Sequence, residues 1–209
     1  LTAKVLNIIV TGVGGQGNVL ASQVIATAAV DSGYFVSVGE TFGASQRGGS
    51  VTSHIRVSQV SAYGPLIPHG EADFILGFEP LETVRTFKDY GSSSTQVIMN
   101  VRPNYPLGVL LNEDQYPDIA VLTGNLKLHS QKLWVLEATD LAVGVGVPVG
   151  TNMVMTGAFA GVQFLPISLG AYESVMKGIF TGEILDLNLA AYQAGVKAVI
   201  FGVWTQMQS

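Results

Sequence analysis

The feature that most constrains this chain is Gly12-Val13-Gly14-Gly15-Gln16-Gly17, set between the apolar run Val5-Leu6-Asn7-Ile8-Ile9-Val10 and a helix-like segment from Asn18 to Ser32. Apolar run, glycine turn and helix in that order describe a strand that reverses tightly into a helix packed upon it. The first glycine makes the turn, the second lets backbone approach a bound group, and the third lets helix and strand pack closely. N–H groups at the helix start lack intrahelical partners and face any anion placed there. A tight turn without a ligand needs the same glycines, and with 25 glycines in the chain the motif alone does not decide between the two.

The helix places Val19, Leu20, Val24, Ile25 and Ala28 at three- and four-residue spacing, and Gly33 suits its C-terminal cap. Tyr34 to Glu40 reads as a second strand, giving a β-α-β unit with a right-handed crossover. Glu40 then stands near the place where dinucleotide folds put a ribose-binding acid, which is the argument for NAD. The glycine-rich loop Thr41 to Ser50 follows and runs into a strand-like segment from Val51 to Val57. Within it Arg47 offers a fork of donors for phosphate or carboxylate, with Gly48 and Gly49 keeping the backbone accessible. A solvated surface charge or an intersubunit ion pair is the plainer role for the same arginine.

Phe74 to Phe78 reads as a buried parallel strand, Glu79 to Tyr90 as a helix opened by Pro80, and Gln96 to Asn100 as a further strand. A loop from Val101 to Pro117 leads to a helix and to strand-like Lys132 to Glu137. Strands alternating with helices predict a doubly wound α/β sheet. After Glu137 the pattern turns helical, near Asp140 to Val145, Asn152 to Phe164, Leu169 to Phe180 and Glu183 to Val203. Thr151 or Asn152 is the candidate cap of the second of these. Gly157 and Gly161 leave a flat stripe for another helix, within one core or between chains.

No linker divides the 209 residues, so a single domain spanning 1–209 is expected. Fifteen acidic against ten basic residues, net charge −5, provide no field for a phosphate backbone or an anionic membrane, so neither nucleic acid nor membrane is expected as a partner. With no Cys, disulfides, thiolate catalysis and iron-sulfur ligation by this chain are excluded. His54, His69 and His129 lack metal-site spacing, and no metal is expected. Charged residues make up only 12% of the chain, against roughly 25% in ordinary soluble domains, which predicts a surface largely covered by partners. The uncharged stretch from Leu141 to Ala171 is interrupted by prolines and glycines, unlike a membrane helix, and is expected to be buried at an interface. No basic region precedes an early apolar stretch, so the cytoplasm is the expected location.

Gly12-Val13-Gly14-Gly15-Gln16-Gly17 together with Ser45-Gln46-Arg47-Gly48-Gly49-Ser50 resembles the gamma subunit, or gamma domain, of thiamine-diphosphate-dependent 2-oxoacid:ferredoxin oxidoreductases. Ala72 to Pro80 and the Asn152 to Gly161 helix extend the resemblance over essentially the whole chain. The length suggests the short, separate subunit of indolepyruvate and other aryl-2-oxoacid enzymes. The resemblance implies a Rossmann-like fold and a subunit, inactive alone and without catalytic residues of its own. The complex decarboxylates a 2-oxoacid oxidatively to an acyl-CoA and passes electrons to ferredoxin or another acceptor. It further implies that thiamine diphosphate, Mg and iron-sulfur clusters sit on partner subunits. Gly12, Gly14, Gly15, Gln16, Gly17, Ser45, Gln46 and Arg47 become candidate contacts for coenzyme A. Phe42 departs from the pattern, standing where a polar residue, commonly His, is expected. Two other readings stay open: a free-standing NAD-dependent dehydrogenase, disfavoured because no hydride-transfer acid-base pair is evident, and a pure assembly module.

Overall fold

The computed structural model describes residues 5–43, 49–105, 107–111, 113 and 115–202. A six-stranded sheet in the order β2-β3-β1-β4-β5-β6 forms its centre. The strands are β1 (Leu6–Val13), β2 (Phe35–Phe42), β3 (Ser50–Ser58), β4 (Phe74–Gly77), β5 (Gln96–Asn100) and β6 (Lys132–Leu136). Because successive side chains point to opposite faces, each apolar run feeds two cores. Ile8, Val10, Phe74, Leu76, Ile98 and Trp134 lie on one face, while Ile9, Ile75, Val97 and Met99 lie on the other. Covering both faces is what makes the runs continuously apolar rather than alternating.

On the first face pack α1 (Asn18–Asp31), α5 (Ala138–Gly144), α6 (Thr151–Gly161), α7 (Leu169–Ile179) and α8 (Gly182–Ile200). The second face is covered by α2 (Pro80–Tyr90) and α4 (Ile119–His129). The sheet is therefore doubly wound, with a helical C-terminal part, and three pairings are parallel: β1 with β4, β4 with β5, and β5 with β6. A short α3 (Leu107–Leu110) sits in the segment expected to be loop.

The β-α-β unit differs from expectation. β2 does not pair with β1; β3 lies between them, antiparallel to both. The two strands form a hairpin, Phe35↔Ser58 through Phe42↔Val51, and β3 then pairs with β1 from Leu6↔Val57 to Val13↔Ser50. Joining β2 to the strand that follows it closes a short loop, which costs little entropy. The segment read as a loop from Thr41 accordingly gives its first two residues to β2.

The uncharged stretch from Leu141 to Ala171 divides in two. Ala142 and Met153 to Ala160 are buried in this chain's own interior, whereas Val143, Val145 and Val149 are exposed. The glycine stripe belongs to the interior part. A Cβ on Gly157 would stand 1.9 Å from the Tyr192 carbonyl oxygen of α8, and one on Gly195 would stand 1.9 Å from the Val154 carbonyl oxygen of α6. The two helices meet backbone to backbone. The N-cap of α6 is Gly150, without a side-chain cap, and the Asn152 Oδ1 accepts from the next residue's N–H at 2.9 Å. At α1, Ser32 is the C-cap and Gly33 follows at φ +88°, the left-handed geometry glycine supplies without strain.

This contact predicts opposite outcomes for two glycine substitutions. Gly157→Ala should lower stability by about 2–4 kcal/mol, since backbone cannot yield as a side chain can. Gly124→Ala, on exposed α4 with open space around its Cβ position, should raise stability by up to about 1 kcal/mol. Urea denaturation of both variants beside wild type checks the pair.

Candidate functional site

β1 leads into α1 on one face of the sheet, and its neighbour β4 leads into α2 on the other. Between their carboxyl ends the winding reverses direction, and in open α/β sheets such a crevice is where ligands bind. The turn from Gly12 to Gly17 lies in that crevice.

Gly12 is the tightest point. A Cβ there would meet the Gln16 Oε1 at 2.6 Å, the Phe78 Cβ at 2.8 Å and the Asn18 Nδ2 at 3.0 Å. Gln16 folds back over it: its Oε1 accepts from the Val13 N–H at 2.8 Å, and its Nε2 donates to the Phe78 carbonyl at 3.4 Å. The Gln16 amide thus holds the turn to the end of β4. Gly15 (φ +97°) and Gly17 (φ +82°) have left-handed backbones. Among the described residues nothing lies within 4 Å of a Cβ on Gly15, whereas Gly17 is closed against Asn152 of α6, 2.6 Å from its Cβ position. The third glycine therefore admits a helix contact and not the expected packing of α1 on the strand. Gly14 has only ordinary contacts, and its role lies in its backbone.

That backbone joins the two motifs. The Gly14 N–H donates to the Gly49 carbonyl at 2.9 Å, and the Gly43 N–H donates to the Ser50 carbonyl at 2.7 Å. The loop between Gly43 and Gly49 is thereby rooted on the glycine turn. Ser45, Gln46 and Arg47 belong to this loop and lie outside the described residues.

α1 starts without a side-chain cap and without an acid in its first turn. Its first intrahelical bond runs from the Ala21 N–H to the Gly17 carbonyl at 3.0 Å, so the preceding N–H groups sit at an open positive helix end. Two neighbouring helix starts, those of α2 and α5, are satisfied internally. Glu79 caps α2 through the Glu82 N–H at 2.9 Å. Asn100 of β5 accepts from the Ala138 N–H at the start of α5 at 3.1 Å and donates to the Phe78 carbonyl at 3.1 Å.

Two features escaped the sequence reading. Asn18 is buried, and neither atom of its amide is hydrogen-bonded. Glu79, 2% exposed, accepts a short hydrogen bond from the Tyr116 hydroxyl and another from the Asn104 N–H at 3.4 Å. Burial raises its pKa above the ordinary glutamate value, outweighing these hydrogen bonds. Burial likewise drives the Tyr116 phenol up, so it stays a donor. The pair fastens the segment after β5 over the carboxyl end of the sheet. Its only sequence signal is the helix start Glu79-Pro80-Leu81-Glu82.

Residues 7–198 match the pyruvate ferredoxin/flavodoxin oxidoreductase family. The chain belongs to that family. Among curated relatives, indolepyruvate oxidoreductase subunit IorB of Archaeoglobus fulgidus is 36% identical over 197 residues, covering 94% of this chain and 96% of the relative. The common gamma subunit of the pyruvate/ketoisovalerate oxidoreductases of Pyrococcus abyssi is 29% identical, with 92% and 96% covered. The fold matches pyruvate oxidoreductase subunit PORC of Thermotoga maritima at TM-score 0.68 and 20% identity, over 93% of this chain and 96% of that one. It also matches 2-oxoglutarate:ferredoxin oxidoreductase of Magnetococcus marinus, solved with 2-oxoglutarate, coenzyme A and succinyl-CoA, at TM-score 0.74 and 24% identity. There it covers 95% of this chain and 31% of the other. The protein is thus a gamma-type subunit of the 2-oxoacid:ferredoxin oxidoreductase family.

Glu40 does not stand where an NAD ribose would lie. Glu40 pairs with Ser53, and Ser53 with Val10, so the acid is two strands away from β1, roughly 10 Å across the sheet. A ribose-binding acid needs the strand next to the glycine turn. Among the described residues no group of three His, Asp or Glu is placed to hold a metal ion, and no described helix is long and apolar enough to cross a membrane.

For the subunit's buried acid the sign of a pH effect follows directly. A carboxyl whose folded pKa is raised holds its proton more tightly in the folded chain. The stability it contributes is complete below the ordinary glutamate range and is lost as pH rises through the folded value. Glu79→Gln keeps an acceptor for the Glu82 N–H and removes that loss. In urea titrations the difference between wild type and Glu79→Gln should move against wild type as pH rises above the ordinary range; a difference constant with pH would contradict this.

Proposed function

We propose that this gamma-type subunit contributes the glycine turn and the adjoining Ser45-Gln46-Arg47 loop to a coenzyme A site within a 2-oxoacid oxidoreductase complex. The observation that carries this is the hydrogen bond from Gly14 to Gly49. It places the base of the second loop against an uncapped helix start at the switch point. The N–H groups before the first bond of α1 and the positive end of its dipole suit a diphosphate. No described residue lies within 4 Å of a Cβ on Gly15, which leaves room for close approach, and Arg47 adds a planar fork of donors. Gly12, Gly17 and Gln16 hold the turn in shape; Gly14 and Gly15 are the positions at which a ligand meets backbone.

Coenzyme A supplies the thiol that takes up the acyl group. On this reading the chain binds and orients it, and works as a single domain over 1–209. Thiamine diphosphate, Mg and the iron-sulfur clusters belong to partner subunits, in keeping with a chain that has no Cys, and electrons leave to ferredoxin or another acceptor. The similarity to the indolepyruvate oxidoreductase subunits supports an aryl 2-oxoacid as substrate, and the complex would work in the cytoplasm.

In the assembled complex, Arg47→Ala should weaken the apparent affinity for coenzyme A roughly ten- to hundredfold, the worth of one or two charge-assisted hydrogen bonds. Arg47→Lys should recover part of it, keeping charge without the fork. Reduction of the clusters by the 2-oxoacid in the absence of coenzyme A should be unchanged. Unaltered affinity in Arg47→Ala would remove this residue from the site.

A further inference from the structure

The sheet has two edges. β2 is largely exposed, apart from Val36 against the core and Gly39 against Pro65, and Glu40 is the one charged side chain along it. β6 is different, because α4 and α5 flank it and leave a groove of about 990 Å³ along the edge. β6 pairs with β5 on one side and with no described strand on the other. The floor is apolar, built from Leu133, Val135, Leu141 and Val145 with Ile119 of α4. The ends are charged in opposite senses. Lys127, in the last turn of α4, and Lys132, the first residue of β6, line one end; Glu137, just after β6, and Asp140 of α5 line the other. Arg102 approaches Asp140 at 3.9 Å, but both side chains are about two-thirds exposed, so this pair is readily exchanged for another.

We propose that this groove receives an extended segment of another subunit of the same complex, added as a seventh strand. The segment is apolar at its centre, acidic where it meets Lys127 and Lys132, and basic where it meets Glu137 and Asp140. Among the described residues no strand pairs with the outer side of β6; a strand added there would bond to the outward backbone groups of Leu133 and Val135, and the apolar floor gives it side-chain pockets. The charged ends fix its direction, since reversal would set like charges together. The chain's own last residues, Val203 to Ser209, contain no charged side chain and do not match these ends. The proposal rests on the chain being a subunit of a complex and is independent of the coenzyme A site.

Amide hydrogen exchange on the full chain, alone and in the coexpressed complex, tests it together with two variants. The outward-facing amides of Lys132 to Leu136 should exchange at least about tenfold more slowly in the complex. Gly124→Trp fills the groove from an exposed position with open space, and Lys127→Glu reverses one end. Each should weaken association with the companion subunits roughly tenfold or more, while the free chain still melts cooperatively, shifted only by the small helix-propensity gain at Gly124 and the lost favourable charge at Lys127. Equal exchange in both states, with association intact, would overturn the docking site alone. Failure of the chain to associate at all would overturn it along with the subunit reading. Slow exchange in the free chain that is lost on deleting Val203 to Ser209, or that deepens with protein concentration, would assign the groove to the chain's own tail or to a second copy, and would equally overturn the proposal.

Discussion

The absence of a side chain at Gly12 is the constraint on which the rest of the site depends. With no Cβ there, the end of β1 closes on Phe78 and lets Gln16 span from Val13 to the Phe78 carbonyl. Two parallel strands are thereby locked at their carboxyl ends, where the helices that follow part to opposite faces. Once that junction is fixed, Gly14 is aimed at Gly49, and the start of α1 opens outward without a cap. Asn100 serves the neighbouring junction in the same manner, tying β4 to the start of α5. The starts of α2 and α5 are thus satisfied by internal hydrogen bonds, whereas the first turn of α1 carries no side-chain cap.

What could be read from the sequence was what depends on local chemistry. The glycine turn, the Pro80 helix start, Gly33 after α1 and the alternating strands and helices all follow from backbone preference and apolar spacing. The partner of β2 could not be read this way. Either a crossover beside β1 or a hairpin with β3 accommodates the same apolar pattern, and the connecting loop has no two-residue turn signal to choose between them. The charge-poor C-terminal half was legible only in part for a related reason: apolar composition reports that residues avoid water, not against what. Here α6 is enclosed by α8 through Gly157 and Gly195, and the low charge of the chain owes much to its own interior.

The site was legible as a pair of motifs but not as an arrangement. Gly12, Gly14, Gly15 and Gly17 look equivalent in sequence, yet the structure gives each a separate role. Gly12 and Gly17 admit close neighbours, Gly14 donates across to the second loop, and only Gly15 has no described residue within 4 Å of its Cβ position. Gln16 spends its amide inside the turn. Glu79 and Tyr116 lie far apart in sequence, and only the sheet brings them together. Asn18, buried without hydrogen-bond partners just beneath the turn, has no sequence signal at all.

The central claim is that the glycine turn and the start of α1 hold the phosphates of coenzyme A. A structure of the assembled complex with coenzyme A bound tests it most directly. The account predicts the diphosphate within hydrogen-bonding reach of backbone N–H groups between Gly15 and Leu20, with Arg47 beside it. A diphosphate held wholly by the companion subunits, with this turn facing solvent or another chain, would contradict it.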